Sequence, residues 1–274
     1  MMPLNAAIFR ESTEPKVLVD NACQFAASED PVDHNTLTQV LNSSDFLAKL
    51  NTPDDYNTLG PKQLRVAKVI RVLRDSQHAA SKQTLTALSR GGPFIDNNWR
   101  RQELLVRALV TVRPATPPAV QYWDDQSTPR SVNRHITIEM LCENGTEPAL
   151  ALLERKLLAE DQEKLYKISW IHAFMLPHRN ERPMLEASER MITRSLPADL
   201  RYTVLETLCD YDMGWYPCCA KPRPPSRLLI KDDAKQVLGR ICRHAKSNME
   251  LGPRLKLAVE RTYREIGAPE EKTA

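Results

Sequence analysis

The chain has 274 residues, a formal net charge of +3, and 42% hydrophobic and 27% charged residues, which is ordinary for a globular protein. Only eight glycines and 6% aromatic residues argue against a sheet-rich fold, because turns and pleated surfaces use both. No apolar run approaches the roughly 20 residues that span a bilayer, and the first residues lack the apolar core of a secretory signal. The composition therefore predicts a soluble, cytoplasmic, all-α protein.

Helical periodicity dominates the chain from residue 35 onward, and glycine, proline and asparagine mark the breaks between the periodic segments. The predicted helices cover residues 35–50, 61–74, 77–90, 98–113, 131–143, 147–158, 161–176, 182–195, 197–210, 231–247 and 252–266. Three regions follow from this pattern. We expect a partly ordered acidic extension at 1–34, a helical repeat domain at 35–267 with a long proline-rich loop at 210–230, and a tail at 268–274.

The charges are segregated along the chain. Residues 1–58 hold nine acidic and three basic residues, whereas residues 59–113 hold eleven basic and three acidic residues. The basic block begins with "PKQLRVAKVIRVLR" at 61–74, which has no acidic residue. On a helical wheel its apolar residues gather on one side and its basic residues spread over the other. Such a segment predicts a helix with one buried apolar face and one basic face.

Short sequence echoes indicate repeated helical hairpins. "LGPKQLRVAKVIR" at 59–71 is echoed by "LGPRLKLAVERTYR" at 251–264, and Asp199-Leu200-Arg201 opens another helix with a Leu-Arg pair. This pattern resembles the HEAT-repeat family and, more loosely, the armadillo-type solenoids. The resemblance implies a right-handed superhelix of stacked antiparallel helical hairpins, an α-solenoid, in which the second helix of each hairpin lines a concave surface.

The resemblance also implies a basic groove, because it places basic residues of successive second helices on that concave surface. The predicted groove residues are Arg65, Lys68, Arg71, Arg100, Arg107, Arg130, Arg134, Lys164 and Lys167. A concave surface with one sign of charge attracts partners of the opposite sign. The alternative is that these side chains are solvated and share no direction.

The segment "CDYDMGWYPCCAKPRPPSR" at 209–227 interrupts the helical pattern. Its Trp215 and Tyr216 are large side chains for a loop and predict a second contact surface for a partner. Packing of these aromatics against the chain's own last hairpin is the alternative. The adjacent Cys218 and Cys219 have no C-x2-C partner and are poorly placed for tetrahedral zinc, so we expect no metal site.

The predicted function is a non-enzymatic scaffold or adaptor that binds an acidic protein segment in its basic groove. No nucleophile elbow, P-loop or dinucleotide motif appears, so no catalytic residue and no cofactor are predicted. A nucleic-acid-binding protein of the same fold is the alternative, including a DNA-glycosylase-like enzyme that would use Trp123, Asp124, Arg134 and Trp170. A homo-oligomer, and masking of the groove by the acidic residues 1–58, also stay open.

Overall fold

The computed structural model describes residues 6–76, 78–128, 130–158, 181–195, 197–209 and 230–267. All regular secondary structure in these ranges is helical, which confirms the all-α prediction for them. The chain forms two compact units, Met1–Asn144 and Gly145–Ala274. The predicted boundary at residue 34 therefore falls within the first unit, inside a helix, while the predicted helix 161–176 lies outside the described residues.

The first unit contains ten α-helices and a short 3-10 turn, Pro61–Gln63, among its described residues. The helices are α1 (Ile8–Glu11), α2 (Pro15–Ala27), α3 (Pro31–Leu41), α4 (Ser44–Leu50), α5 (Pro53–Thr58), α6 (Arg65–Asp75), α7 (Ala79–Leu88), α8 (Trp99–Leu109), α9 (Pro117–Gln126) and α10 (Arg134–Asn144). Helices α2, α6, α8 and α10 pack side by side in one layer, and α3, α7 and α9 form a second layer against it. The apolar core lies between the two layers, where each amphipathic helix buries its apolar face.

The N-terminal residues belong to this core. Phe25 of α2 is buried against Phe9 of α1, with ring centroids 5.1 Å apart, and Phe9 also meets the ring edge of Phe46 in α4 at 5.4 Å. Leu18 of α2 is fully buried as well, and α2 packs along α6. Residues 6–34 therefore contribute helices and buried aromatic contacts to the first unit.

Two helix predictions for this unit need correction. Residues 35–50 do not form one helix, because Ser43 adopts an extended conformation and its hydroxyl caps the N–H of Phe46, so α3 ends at Leu41 and α4 begins at Ser44. Helix α9 is absent from the predicted helices, because prolines are treated there as breaks between periodic segments and "RPATPP" at 113–118 holds three. Pro117 instead occupies the first turn of α9, where its missing N–H leaves no hydrogen bond unmade.

The second unit is described in part. Its helices are α11 (Glu147–Leu158), α12 (Arg182–Arg190), α13 (Ala198–Cys209), α14 (Asp232–Asn248) and α15 (Pro253–Glu265), and a π-helical turn, Met191–Ser195, follows α12. Helix α14 packs on α12 and α15. Ion pairs of Arg190 with Glu154 at 3.0 Å and of Arg240 with Glu189 at 2.7 Å join α12 to α11 and to α14. The buried apolar residues of these helices form a core of their own.

None of the helices in the described part of either unit combines the length and the apolar character that crossing a lipid bilayer requires.

Candidate anion-binding groove of the first unit

Helix α6 separates its apolar and basic residues as the sequence predicts. Val66, Val69, Ile70 and Leu73 are buried, whereas Arg65, Lys68 and Arg71 are exposed. The helix contacts α2 along one side and α8 along the other within the same layer. Its basic residues therefore divide between two neighbours.

On the α2 side, the basic residues of α6 meet the acidic N-terminal segment. The Lys68 ammonium donates to the Asp20 carboxylate of α2 at 2.8 Å. The Arg65 guanidinium donates to the Asp55 carboxylate of α5 at 2.9 Å and to the Leu50 carbonyl at 3.0 Å. Two of the predicted groove cations are thus neutralised by acids from residues 1–58. All four charged side chains are partly exposed, so each pair stabilises the fold only slightly.

The Lys68–Asp20 ion pair can be tested by titration of Asp20. The hydrogen bond from Lys68, followed by its positive charge, holds the pKa of Asp20 below its usual range. Replacing Lys68 with methionine keeps the apolar stem and removes the charge, so the pKa of Asp20 should rise toward the usual value. Carboxyl-carbon NMR titration of wild type and variant measures this change. The pKa of Asp20 is lower in the folded state than in the unfolded state. The ion pair therefore stabilises the fold at pH values above the unfolded-state pKa, and this stabilisation is lost as the pH falls through the folded-state pKa.

An Asp20 titration that is the same in both proteins would contradict this ion pair. Lys82→Met is the matched control, because Lys82 lies on α7, in the other layer, and has no ion pair among the described residues.

On the α8 side, four basic residues surround a small groove that is open to solvent. The basic α6–α8 groove is lined by Lys62, Ala67, Ile70, Arg71, Arg74, Leu104, Arg107 and Ala108. Its floor consists of apolar and small side chains, and its rims carry the four cations. The 3-10 turn before α6 contributes Lys62, because this turn packs on α8.

The groove has an excess of positive charge. Arg107 pairs with Glu103 at 2.9 Å on its own helix, and Arg74 pairs with the neighbouring Asp75 at 2.7 Å. Within the described part of the chain, the side chains of Lys62 and Arg71 make no hydrogen bond or ion pair. Four cations and two carboxylates leave a net charge of +2. A charge of this sign beside an apolar floor favours an anionic ligand over a cationic one.

The other predicted groove residues lie elsewhere. Arg100, at the start of α8, stacks over the Trp99 ring at 4.4 Å and donates from Nε to the Leu59 carbonyl at 2.9 Å. Arg130 is exposed in the loop before α10, and Arg134 is the first residue of α10. The structure thus brings Arg71 and Arg107 together and leaves Arg100, Arg130 and Arg134 outside the groove lining. Lys164, Lys167, Trp215 and Tyr216 are outside the described residues.

Sequence reasoning missed two residues of the groove and one exposed residue at the start of α8. Lys62 and Arg74 were noted as basic but were not assigned to the groove, and Trp99, 41% exposed, was not considered. Arg74 follows Arg71 by three residues, a spacing that brings side chains close on a helix, but Lys68 precedes Arg71 by the same spacing and pairs with α2. The spacing alone therefore does not assign a basic residue of α6 to the groove. Nothing in the sequence distinguishes the exposed Trp99 from the fully buried Trp123 of α9.

Trp123 bears on the nucleic-acid alternative. It is fully buried and offers no ring face to a nucleobase, and Asp124 is the next residue of α9. Trp170 lies outside the described residues. Residues 1–144 hold sixteen basic and sixteen acidic residues, a balance that is unusual for a dedicated nucleic-acid-binding domain.

Comparison with protein-family models, with curated proteins and with solved structures finds no match to this chain.

Proposed function

We propose that this protein is a non-enzymatic scaffold or adaptor that holds an acidic segment of another protein in the basic α6–α8 groove. The observation that supports the proposal is the net charge of +2 in the groove, where Lys62 and Arg71 have no ion-pair or hydrogen-bond partner among the described residues. An acidic side chain entering the groove would supply the missing counter-charge. Arginine suits this role because its planar guanidinium forms paired hydrogen bonds with a carboxylate.

A repeat architecture is part of the proposal. The placement of α2, α6, α8 and α10 in one layer, with α3, α7 and α9 in the other, is an arrangement expected if hairpins stack as in HEAT-like solenoids. In such a stack, adjacent helices of one layer leave shallow grooves between them. The α6–α8 groove would then be one unit of a longer binding surface.

Charge reversal of Arg71 and Arg74 is expected to weaken binding of a glutamate-rich peptide by at least about tenfold at low salt. The double variant R71E/R74E replaces attraction by repulsion on one rim of the groove. Fluorescence anisotropy of a labelled peptide measures the change. The wild-type affinity should itself fall as salt rises from about 50 mM to about 300 mM, because salt screens exposed charges.

Arg90→Glu is the matched control, because Arg90 is an exposed arginine of the same unit that does not line the groove. It should change the peptide affinity by less than about twofold. Equal losses of peptide affinity in R90E and R71E/R74E would show that only the net charge of the protein matters, and this result would overturn the proposal. Tighter binding of a single-stranded oligothymidylate than of the peptide, with a steep salt dependence, would favour the nucleic-acid alternative.

A further inference from the structure

Trp99 is the most exposed tryptophan side chain among the described residues, and it lies at the start of α8, which lines the basic groove. The Arg100 guanidinium covers part of its ring at 4.4 Å and is itself held by the Leu59 carbonyl at 2.9 Å. The ring therefore has a restricted position. Restricted aromatic side chains lose little conformational entropy when they are buried by a partner.

A second exposed apolar side chain lies beside this position. The buried Asn133 donates from Nδ2 to the Trp99 carbonyl at 3.1 Å, which holds the loop before α10 against the start of α8. The preceding residue, Val132, is 68% exposed. This part-buried hydrogen bond joins the two segments that carry Trp99 and Val132, and we call these two exposed apolar side chains the patch. Tryptophan with neighbouring arginine is a typical composition of an interface hot spot.

The patch and the groove follow one another along the same helix. Trp99 and Arg107 lie on the same helix, and the buried Glu103 between them pairs with Arg107. Eight residues of helix separate Trp99 from Arg107, which corresponds to about 12 Å. The Arg100–Leu59 hydrogen bond also places the patch next to the turn that contributes Lys62 to the groove.

From this arrangement we infer that the partner segment carries a large aliphatic side chain about 12 Å from its acidic residues, and that Trp99 and Val132 bind this side chain. The inference rests on the proposed function, because it assigns the acidic residues to the α6–α8 groove. An extended segment covers the distance in about four residues. The groove supplies charge complementarity, and the patch discriminates between acidic segments with and without the aliphatic residue.

A protein segment is favoured over a nucleic acid by three observations. Trp99 is the only aromatic residue among the strongly exposed large apolar side chains of the described chain, whereas single-strand binders use several stacking rings. Basic and acidic residues are equal in number in the first unit. The other side chain of the patch is aliphatic, which suits an aliphatic partner better than a nucleobase.

Two labelled peptides test the inference on the full chain. Both carry the same run of glutamates, and one carries a leucine about four residues before the run, where the other carries serine. We expect the leucine peptide to bind about tenfold more tightly to wild type. Trp99→Ala should remove this difference and leave the serine peptide unchanged. Val132→Ala should reduce the difference, which provides a second variant if Trp99→Ala does not fold.

Val32→Ala is the matched control, because Val32 is a similarly exposed apolar residue on α3, in the other layer. It should leave both affinities unchanged. If wild type binds the two peptides equally, or if Trp99→Ala preserves the difference, the inference is overturned. Even then, loss of binding of both peptides in R71E/R74E would support the proposed function. Failure of the inference can therefore be distinguished from failure of the proposed function. Trp99-dependent binding of oligothymidylate in preference to both peptides would also overturn the inference.

Discussion

Removal of residues 1–34 is expected to abolish the cooperative unfolding of the first unit. The deletion takes away α2, which packs along α6, together with the buried side chains of Phe9, Leu18, Val19 and Phe25. Burial of four such side chains contributes about 6–12 kcal/mol, at about 1.5–3 kcal/mol each. A whole domain is stable by only about 5–15 kcal/mol. Circular dichroism of the truncated chain during heating and urea titration measures the outcome.

Asp20→Asn is the control for this deletion, because it removes the acidic partner of Lys68 and leaves α2 in place. Its unfolding should resemble that of wild type, since an exposed ion pair contributes at most about 1 kcal/mol. A truncated chain that unfolds as cooperatively as the full chain would show that residues 1–34 are a separable extension. Because the deletion is expected to disrupt the first unit, masking of the groove is better tested with charge variants such as Asp20→Asn than by truncation.

Replacement of Trp123 by alanine is expected to lower the free energy of unfolding by about 3–5 kcal/mol. The indole is fully buried in α9, and the neighbouring Tyr122 is held by a hydrogen bond from its hydroxyl to the Gln102 carbonyl at 3.1 Å. This loss of stability comes from the apolar contacts of the ring that are removed and from the cavity that is left behind. Urea unfolding, followed by circular dichroism, measures the change without relying on tryptophan fluorescence.

Two variants control the Trp123 result. Trp123→Phe should be less destabilising, because it keeps an aromatic ring and removes an indole N–H that has no hydrogen-bond partner in the described part of the chain. Trp99→Ala should change stability by less than about 1 kcal/mol, because Trp99 is 41% exposed. Similar losses at Trp99 and Trp123 would contradict the assignment of one tryptophan to the surface and the other to the core.

Periodicity predicts much of this fold because helices that bury one face must repeat apolar residues every three to four positions. Helix α6 illustrates this, since its buried and exposed residues follow directly from the wheel. The N-terminal helices were harder to find. Helix α2 mixes Asp20 and Asn21 with its apolar residues, and Asn21 is buried, so the apolar face is less distinct in the sequence.

The candidate site was predictable only in its charge. The excess of basic residues at 59–113 is visible in the sequence, but their directions depend on which neighbour each side chain reaches. Lys68 turns toward Asp20 of α2 and Arg71 toward α8, although both were assigned to one groove. Pairings between residues far apart in the chain, such as residues 20 and 68, are set by packing of the helices and leave no local pattern.

The most direct test of the account is an NMR titration of the full chain that follows the arginine Nε–Hε signals while the glutamate-rich peptide is added. We predict saturable shifts confined to Arg71, Arg74 and Arg107, with Arg90 unmoved, because only the first three line the groove. Assignment follows from single Arg→Lys variants. Shifts spread evenly over exposed arginines, or shifts that grow linearly without saturation, would contradict a specific acidic-segment site between α6 and α8.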